Sequence, residues 1–322
     1  MATTSLEAGA PRRSSGARRR NREATIAFWV FMSPMLLGLL VFTVIPIVWG
    51  LLLSFTEARA QVTLGEWVGF ENYVWMLEQR EFRRALRTII VFTIFIVPLT
   101  YAVSLGVAML VDRAVWGRGI FRTVFFIPTA ISYVIASLIW KLGLFNSLPY
   151  GTVNLALSNF GVNPIVWIGG GGFPWHWVVL VSVRLWLQIG FYMIIFIAGL
   201  QQIPKDLYEA AYVDGGRAGW TTFRTITLPM LRNTSVAVIV LSLIGAFQAF
   251  DEFYNVLGGG SFASTGNRSL ARPPLVYLYD VAFGGQDYGR GSAGAFILSA
   301  LIIAVTLLQG RILGFGRSSA DR

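Results

Sequence analysis

Few side chains in this sequence have the types and spacing that bond-making chemistry needs. The only lysines are Lys141 and Lys205, and neither follows a glycine, so no phosphate-cradling loop ending in Gly-Lys can be written. Cysteine is absent and His176 is the single histidine. Thiol nucleophiles, disulfides, iron–sulfur clusters, Cys-ligated zinc and multi-histidine metal sites are thereby excluded. His176 stands between Trp175 and Trp177, which suits an interfacial aromatic belt better than a general base. The glycine runs Gly169–Gly172 and Gly258–Gly260 lead into no lysine-bearing helix and suit flexible turns better than phosphate cradles. No enzymatic activity is expected, and no cofactor or metal on this chain. What remains is the chemistry of binding. Gln188, Tyr192, Gln248, Asp251, Tyr254 and Asn255 stand in otherwise apolar stretches; amides and carboxylates bond hydroxyl groups, and aromatic faces stack on apolar ring faces. Arg184 is a lone charge in such a stretch. It marks either a functional position or a side chain that snorkels to a nearby interface.

The elements that must position these residues follow from composition. Of 322 residues, 55% are hydrophobic and 13% charged, with mean hydropathy +0.62. A soluble surface needs roughly 25% charged residues, so an integral membrane protein is predicted. Six long uncharged runs mark the spans: about 27–55, 87–112, 123–144, 175–200, 233–257 and 290–311. Each reaches the roughly 18 residues of a helical crossing, and none alternates with period two as a barrel strand would. Pro34 and Pro46 interrupt the first run, which predicts a kinked or tilted helix; its length and the lack of a small-x-small site argue against a cleavable signal peptide. Both termini and the even-numbered loops carry sixteen Lys and Arg, against nine on the opposite side, with Arg184 inside a span. The excess places both termini in the cytoplasm. The tail, residues 1–24, is rich in Ser, Gly, Ala and Arg without periodicity and is expected to be a disordered topology signal that touches anionic lipid rather than a nucleic-acid arm. Residues 25–316 form the membrane domain, and 317–322 a short cytoplasmic tail.

One loop, 201–231, is longer and more structured than a simple return requires. Pro204 suits a first helical turn, and Asp206 and Glu209 favour its positive end. Leu207, Ala210 and Ala211 share one apolar, partly small face. Gly215 and Gly216 supply a stop, a second short helix fits Trp220 to Ile226, and Pro229 opens the next element. The whole fold is therefore all-α, a bundle of about six transmembrane helices with a helix–turn–helix at the membrane surface.

Within this loop, Glu209-Ala210-Ala211, Asp214-Gly215 and Ile226-Thr227-Leu228-Pro229 resemble the EAA loop of binding-protein-dependent ABC importer permeases. Ten residues separate Gly215 from Ile226, one more than the usual pattern, and Asn233 stands where a proline is common. Further segments are similar to the sugar-permease branch (the maltose or glycerol-3-phosphate type inner-membrane component): Gly69-Phe70-Glu71-Asn72-Tyr73, Phe125-Phe126-Ile127-Pro128, Ala198-Gly199-Leu200, Phe247-Gln248-Ala249-Phe250-Asp251, and Tyr279 with Ala282-Phe283. Their order covers nearly the whole chain from about residue 25. The resemblance implies a subunit that moves a sugar, polyol or glycerol phosphate across the cytoplasmic membrane. It would assemble with a second, different permease chain, two copies of an ATPase that carry the ATP and Mg, and an extracytoplasmic solute-binding protein. Glu209, Ala210, Ala211, Asp214, Gly215, Ile226, Leu228 and Pro229 would couple to the ATPase, and Arg184, Gln188, Tyr192, Gln248, Asp251, Tyr254 and Asn255 would line the solute path. The rival reading is a stand-alone secondary carrier or channel, which needs coupling-ion sites or an inverted repeat.

Overall fold

A computed structural model of the chain describes residues 15–114, 116–169, 173–215, 219–258 and 270–313. Residues 1–14, the tail 317–322, Gly170 to Gly172, Gly216, Gly259 and Gly260 lie outside the described residues. Regular structure among the described residues is helical, with two isolated antiparallel bridges, Thr56 to Trp67 and Arg59 to Asp287. In chain order the helices are α1 (Ser15–Leu39), α2 (Ile45–Leu53), α3 (Glu71–Glu78), α4 (Arg80–Arg113), α5 (Arg118–Phe126), α6 (Tyr133–Leu138), α7 (Thr152–Ser158), α8 (His176–Gln201), α9 (Lys205–Val213), α10 (Trp220–Thr222), α11 (Leu228–Met230), α12 (Arg232–Phe247), α13 (Asp251–Leu257), α14 (Pro274–Tyr279) and α15 (Tyr288–Leu313). Four continuous stretches, Glu23–Leu53, Arg80–Arg113, His176–Gln201 and Tyr288–Ile312, are long and apolar enough to cross a membrane. Two bent pairs bring the number to six if each counts as one span.

The core lies along α4. Its upper part (Ile89, Phe92, Ile96) packs with Val179 and Leu180 of α8, Phe247 of α12 and Phe253 and Val256 of α13. Its lower part (Leu105, Ala108, Val111) packs with Met193 and Phe196 of α8 and Val238 of α12. A smaller cluster joins Met76, Phe82, Tyr277 and Leu298, tying α3 and α14 to α15. The first span stands apart: it touches its own chain chiefly through α2 against α15, and nearly all of its apolar surface is open. Lipid or another chain must cover it, because a fully apolar helix is stable only in an apolar environment.

Four departures from the expected helices have local causes. The first helix begins at Ser15, inside the segment expected to be disordered; Ala17, Arg18 to Arg20, Glu23 and Ala24 are good helix formers that extend a helix already started by the apolar run. The second span is 34 residues long, because Arg80 to Arg87 form its first turns rather than a preceding loop. The third span is two helices bent by 91°. Pro128 tightens Ile127–Ala130 into a 3-10 turn, and Ser132 is extended, since proline cannot donate to the helical ladder. The fifth run, expected straight from 233 to 257, ends at Phe247, and α13 restarts at Asp251, so Asp251 does not sit at the top of a continuous rod. In the first span a π-turn, Leu40–Val44, precedes Pro46, where the proline ring has displaced the regular bonding.

At Gly190, α8 lies close against the end of α5, just before the bend of the third span. A Cβ on Gly190 would collide with the Phe125 carbonyl and the Phe126 backbone. Only glycine permits that approach, the small-residue contact on which membrane helix packing relies. Gly190→Val is expected to destabilise the folded protein by about 1–3 kcal/mol, read as a lower melting temperature in detergent. Gly38→Ala, where an added Cβ meets nothing within 4 Å, should leave the melting temperature equal or higher.

Candidate functional site

Two regions of the fold bring polar residues together. The first is the loop after α8. Pro204 precedes α9, and Asp206 lies in its first turn, where a carboxylate favours the positive helix end. Gly215 closes the helix with φ of +83°, a left-handed conformation that costs a residue with a side chain roughly 1–2 kcal/mol. Beyond residues 216–218, α10, a π-turn (Phe223–Thr227) and α11 run as one helical stretch, Trp220–Met230, bent by 74° from α12. Pro229 lies within this stretch, and the bend falls at Leu231, two residues later than the sequence suggested.

No residue of α9 is buried. Glu209, Ala210, Asp214, Gly215 and Pro229 are exposed, and Ala211, Ile226 and Leu228 are half-buried. Leu207 and Tyr212 are nearly half exposed, and Val213 and Trp220 mostly so. The helix is held from one side only. The Tyr208 hydroxyl meets Thr227 Oγ1 at 3.0 Å, and Tyr208 and Phe223 pack on the cluster that includes Ile203 and Leu231. Of the expected apolar face, Leu207 and Ala210 are exposed, while Ala211 is half-buried.

The second region lies where α8, α12 and α13 converge. Arg184 of α8 is buried and ion-paired with buried Glu252 of α13, and its guanidinium also donates to the Gly245 carbonyl near the end of α12. The Phe92 ring of α4 lies 5.6 Å from that guanidinium. Arg184 therefore does not snorkel. It joins three helices across a bilayer-depth core, where an isolated charge would be prohibitive. Gln188 reaches the same place: a Cβ on Gly245 would lie 3.9 Å from Gln188 Nε2 and 3.6 Å from Arg184 Nη2.

The remaining candidates divide. Asp251 is half-buried at the first turn of α13. Asn255 donates to the Asp251 carbonyl at 2.7 Å, and Lys141 donates to the Asn255 carbonyl at 3.2 Å. Tyr254 stacks on Phe250 with centroids 5.1 Å apart, and Tyr279 and Phe283 extend the series at 5.4 Å and 5.0 Å. Gln248 is exposed at the break after α12. Tyr192 is buried beside Met193 and Phe196, two turns along α8 from Arg184 and one from Gln188. Sequence reasoning missed Glu252 and Lys141. The signal for Glu252 was present, since Asp251-Glu252 is an acidic pair between apolar runs, but only the break after Phe247 turns the second of the two inward.

Removing one member of this pair leaves a buried charge without its partner. Glu252→Gln is expected to destabilise the protein by about 3–5 kcal/mol, lowering its detergent melting temperature and its yield in membranes. The double change Arg184→Met with Glu252→Leu removes both charges and should recover most of the loss; a double variant no better than the single would contradict the pairing.

Residues 102–313 match the family described as the binding-protein-dependent transport system inner membrane component. The chain is 31% identical over 301 residues to the trehalose/maltose transport system permease protein MalF of Thermococcus litoralis, covering 94% of this chain and 98% of that one. It is 32% identical to the alpha-glucoside transport system permease protein AglF of Rhizobium meliloti, covering 87% and 80% respectively. Among solved structures, a chain of a bacterial ABC transporter that imports the acidic polysaccharide alginate superposes with a TM-score of 0.80 at 20% identity, over 94% of this chain and 100% of that one. That likeness shows the shared fold. By the match over residues 102–313 and the identity to MalF over nearly the whole chain, the chain belongs to the family of binding-protein-dependent transport system inner-membrane components.

Proposed function

We propose that this chain is the permease subunit of an ATP-driven importer for a carbohydrate, or a related polyol or glycerol phosphate. Its substrate-delivery and energy-supplying partners are separate chains: an extracytoplasmic solute-binding protein, a second and different permease, and two ATPase copies holding ATP and Mg. The observation that carries this reading is α9 itself, a helix with no buried residue and with apolar residues left exposed. Such a surface on a stable protein awaits a partner, and this chain has no phosphate-binding loop of its own. The names of its relatives support the solute class: trehalose/maltose, alpha-glucosides and, in Agrobacterium fabrum, sn-glycerol-3-phosphate. The alginate transporter has also been solved with a pentasaccharide-bound periplasmic protein. The excess of Lys and Arg supports a cytoplasmic position for the termini and α9.

In this reading α9 is a lever. Displacement of Glu209, Ala210, Ala211, Asp214 and Gly215 by the ATPase passes through the Tyr208–Thr227 contact into α10, α11 and α12. A short helix transmits that displacement where an irregular loop would absorb it. The same movement reaches α13, and with it the Phe250, Tyr254, Tyr279 and Phe283 rings, whose faces suit the apolar sides of sugars.

Two outcomes test the proposal in the reconstituted assembly with its binding protein. Gly215→Leu and Glu209→Lys should insert normally but lower both uptake and solute-stimulated ATP hydrolysis by roughly tenfold or more, the range of a lost coupling free energy. Normal uptake with normal stimulation in both variants would refute the lever. Tyr279→Ala should weaken carbohydrate-dependent uptake about threefold to tenfold through loss of one stacking face, measured with radiolabelled disaccharides.

A further inference from the structure

Behind α9 lies a cavity of about 410 Å³ that the lever mechanism does not use. Its wall carries Arg113 at the end of α4, Arg118 at the start of α5 and Lys205 at the start of α9, against the single carboxylate Asp112. Arg118 is already bonded to the Asp112 carbonyl, and among the described residues Arg113 and Lys205 have no ion-pair partner. Arg118 and Lys205 are the first residues of α5 and α9, so three basic side chains from three helices converge on one hollow. Tyr208 and Tyr212 add hydroxyl groups to its wall.

The cavity does not end there. Met109, Arg113, Gly219 and Phe223 are shared with a second hollow of about 470 Å³. That hollow is lined mainly by apolar residues, with Tyr101, Leu105 and Leu228 along its length. From Arg113 to Tyr101 along α4 is about 18 Å at 1.5 Å per residue. This is close to half of the roughly 30 Å hydrocarbon thickness of a bilayer. A basic hollow at the membrane surface, opening into an apolar furrow one leaflet deep, has the chemistry of one kind of molecule. We infer that this site binds an anionic phospholipid, its phosphate held by Arg113, Arg118 and Lys205 and an acyl chain lying along Leu105 and Met109. The lipid would tie the start of α9 to the ends of α4 and α5, and so set how firmly the lever is seated. The inference needs only that α4 crosses a bilayer, and it holds whichever solute is carried.

The test uses the assembled transporter in vesicles of phosphatidylcholine alone or with phosphatidylglycerol, followed by detergent extraction and native mass spectrometry. One phosphatidylglycerol should be retained in preference to phosphatidylcholine, and Arg118→Gln with Lys205→Gln should lower retention about 30-fold, from two surface cations lost. Because the chain has no cysteine, Met109→Cys can carry a single fluorophore, which brominated phosphatidylglycerol should quench and brominated phosphatidylcholine should not. Folding of the double variant is checked by an unchanged melting temperature in phosphatidylcholine. Equal retention of the two lipids would overturn the inference. So would loss of both selective retention and selective quenching in millimolar inorganic phosphate, which would leave a free-anion site. Absence of quenching by brominated phosphatidylglycerol in the assembly would leave the furrow without lipid and overturn it as well.

Discussion

A buried arginine in a bilayer must be neutralised where it stands, and the pairing of Arg184 with Glu252 organises the upper half of this protein. Water is not there to share the charge, so the guanidinium takes its partners from protein: the Glu252 carboxylate and the Gly245 carbonyl. Those two acceptors lie on different helices, α13 and α12, and both can face α8 only because the chain breaks between Phe247 and Asp251. The break, the turn of α13 and the packing of Phe253 beside Phe92 are consequences of one electrostatic requirement. In a low-dielectric setting such a pair adds little net stability over apolar residues of the same volume, but it penalises every arrangement that separates its members. Its contribution here is to specify one helix geometry.

The other half of the molecule obeys a different constraint. Around α9 the contacts are few and sided, a tyrosine hydroxyl on a threonine and two aromatic rings on the lower core. Most of the rest of α9 is exposed, with apolar residues that no described segment covers. Together with the uncovered first span, this describes a protein whose interfaces are finished by other molecules. Family membership accounts for that incompleteness, since a transport-system component is one part of an assembly.

Helix irregularities fall between these halves. The 91° bend of the third span and the 74° bend before α12 lie beside Pro128 and Pro229 respectively, and Phe223–Thr227 is a π-turn. Broken helices inside a membrane are tolerated where protein supplies the missing partners. Here the bend of the third span rests on α8 at Gly190, and Leu231, at the second bend, is fully buried among residues of α4 and α8.

Much of this was legible in the chain. Charge-free runs locate the spans, because burial of charge in lipid is costly enough to show directly in composition. The Pro204, Asp206 and Gly215 signals locate α9, because helix ends have strict local chemistry. The same local rules did not reveal that the fifth run is two helices, since no proline or glycine marks Gln248 to Phe250. Nor did they distinguish Asp251 from Glu252, which differ by one position and about 100° around a helix. The sequence by itself determined that the chain is a helical membrane protein with a structured loop, because these depend on composition and short-range spacing. Only the tertiary structure decided which carboxylate meets Arg184, that Tyr254 joins an aromatic series, and that Arg113, Arg118 and Lys205 line one cavity. Those outcomes depend on contacts between residues tens of positions apart, which periodicity along a single chain does not encode.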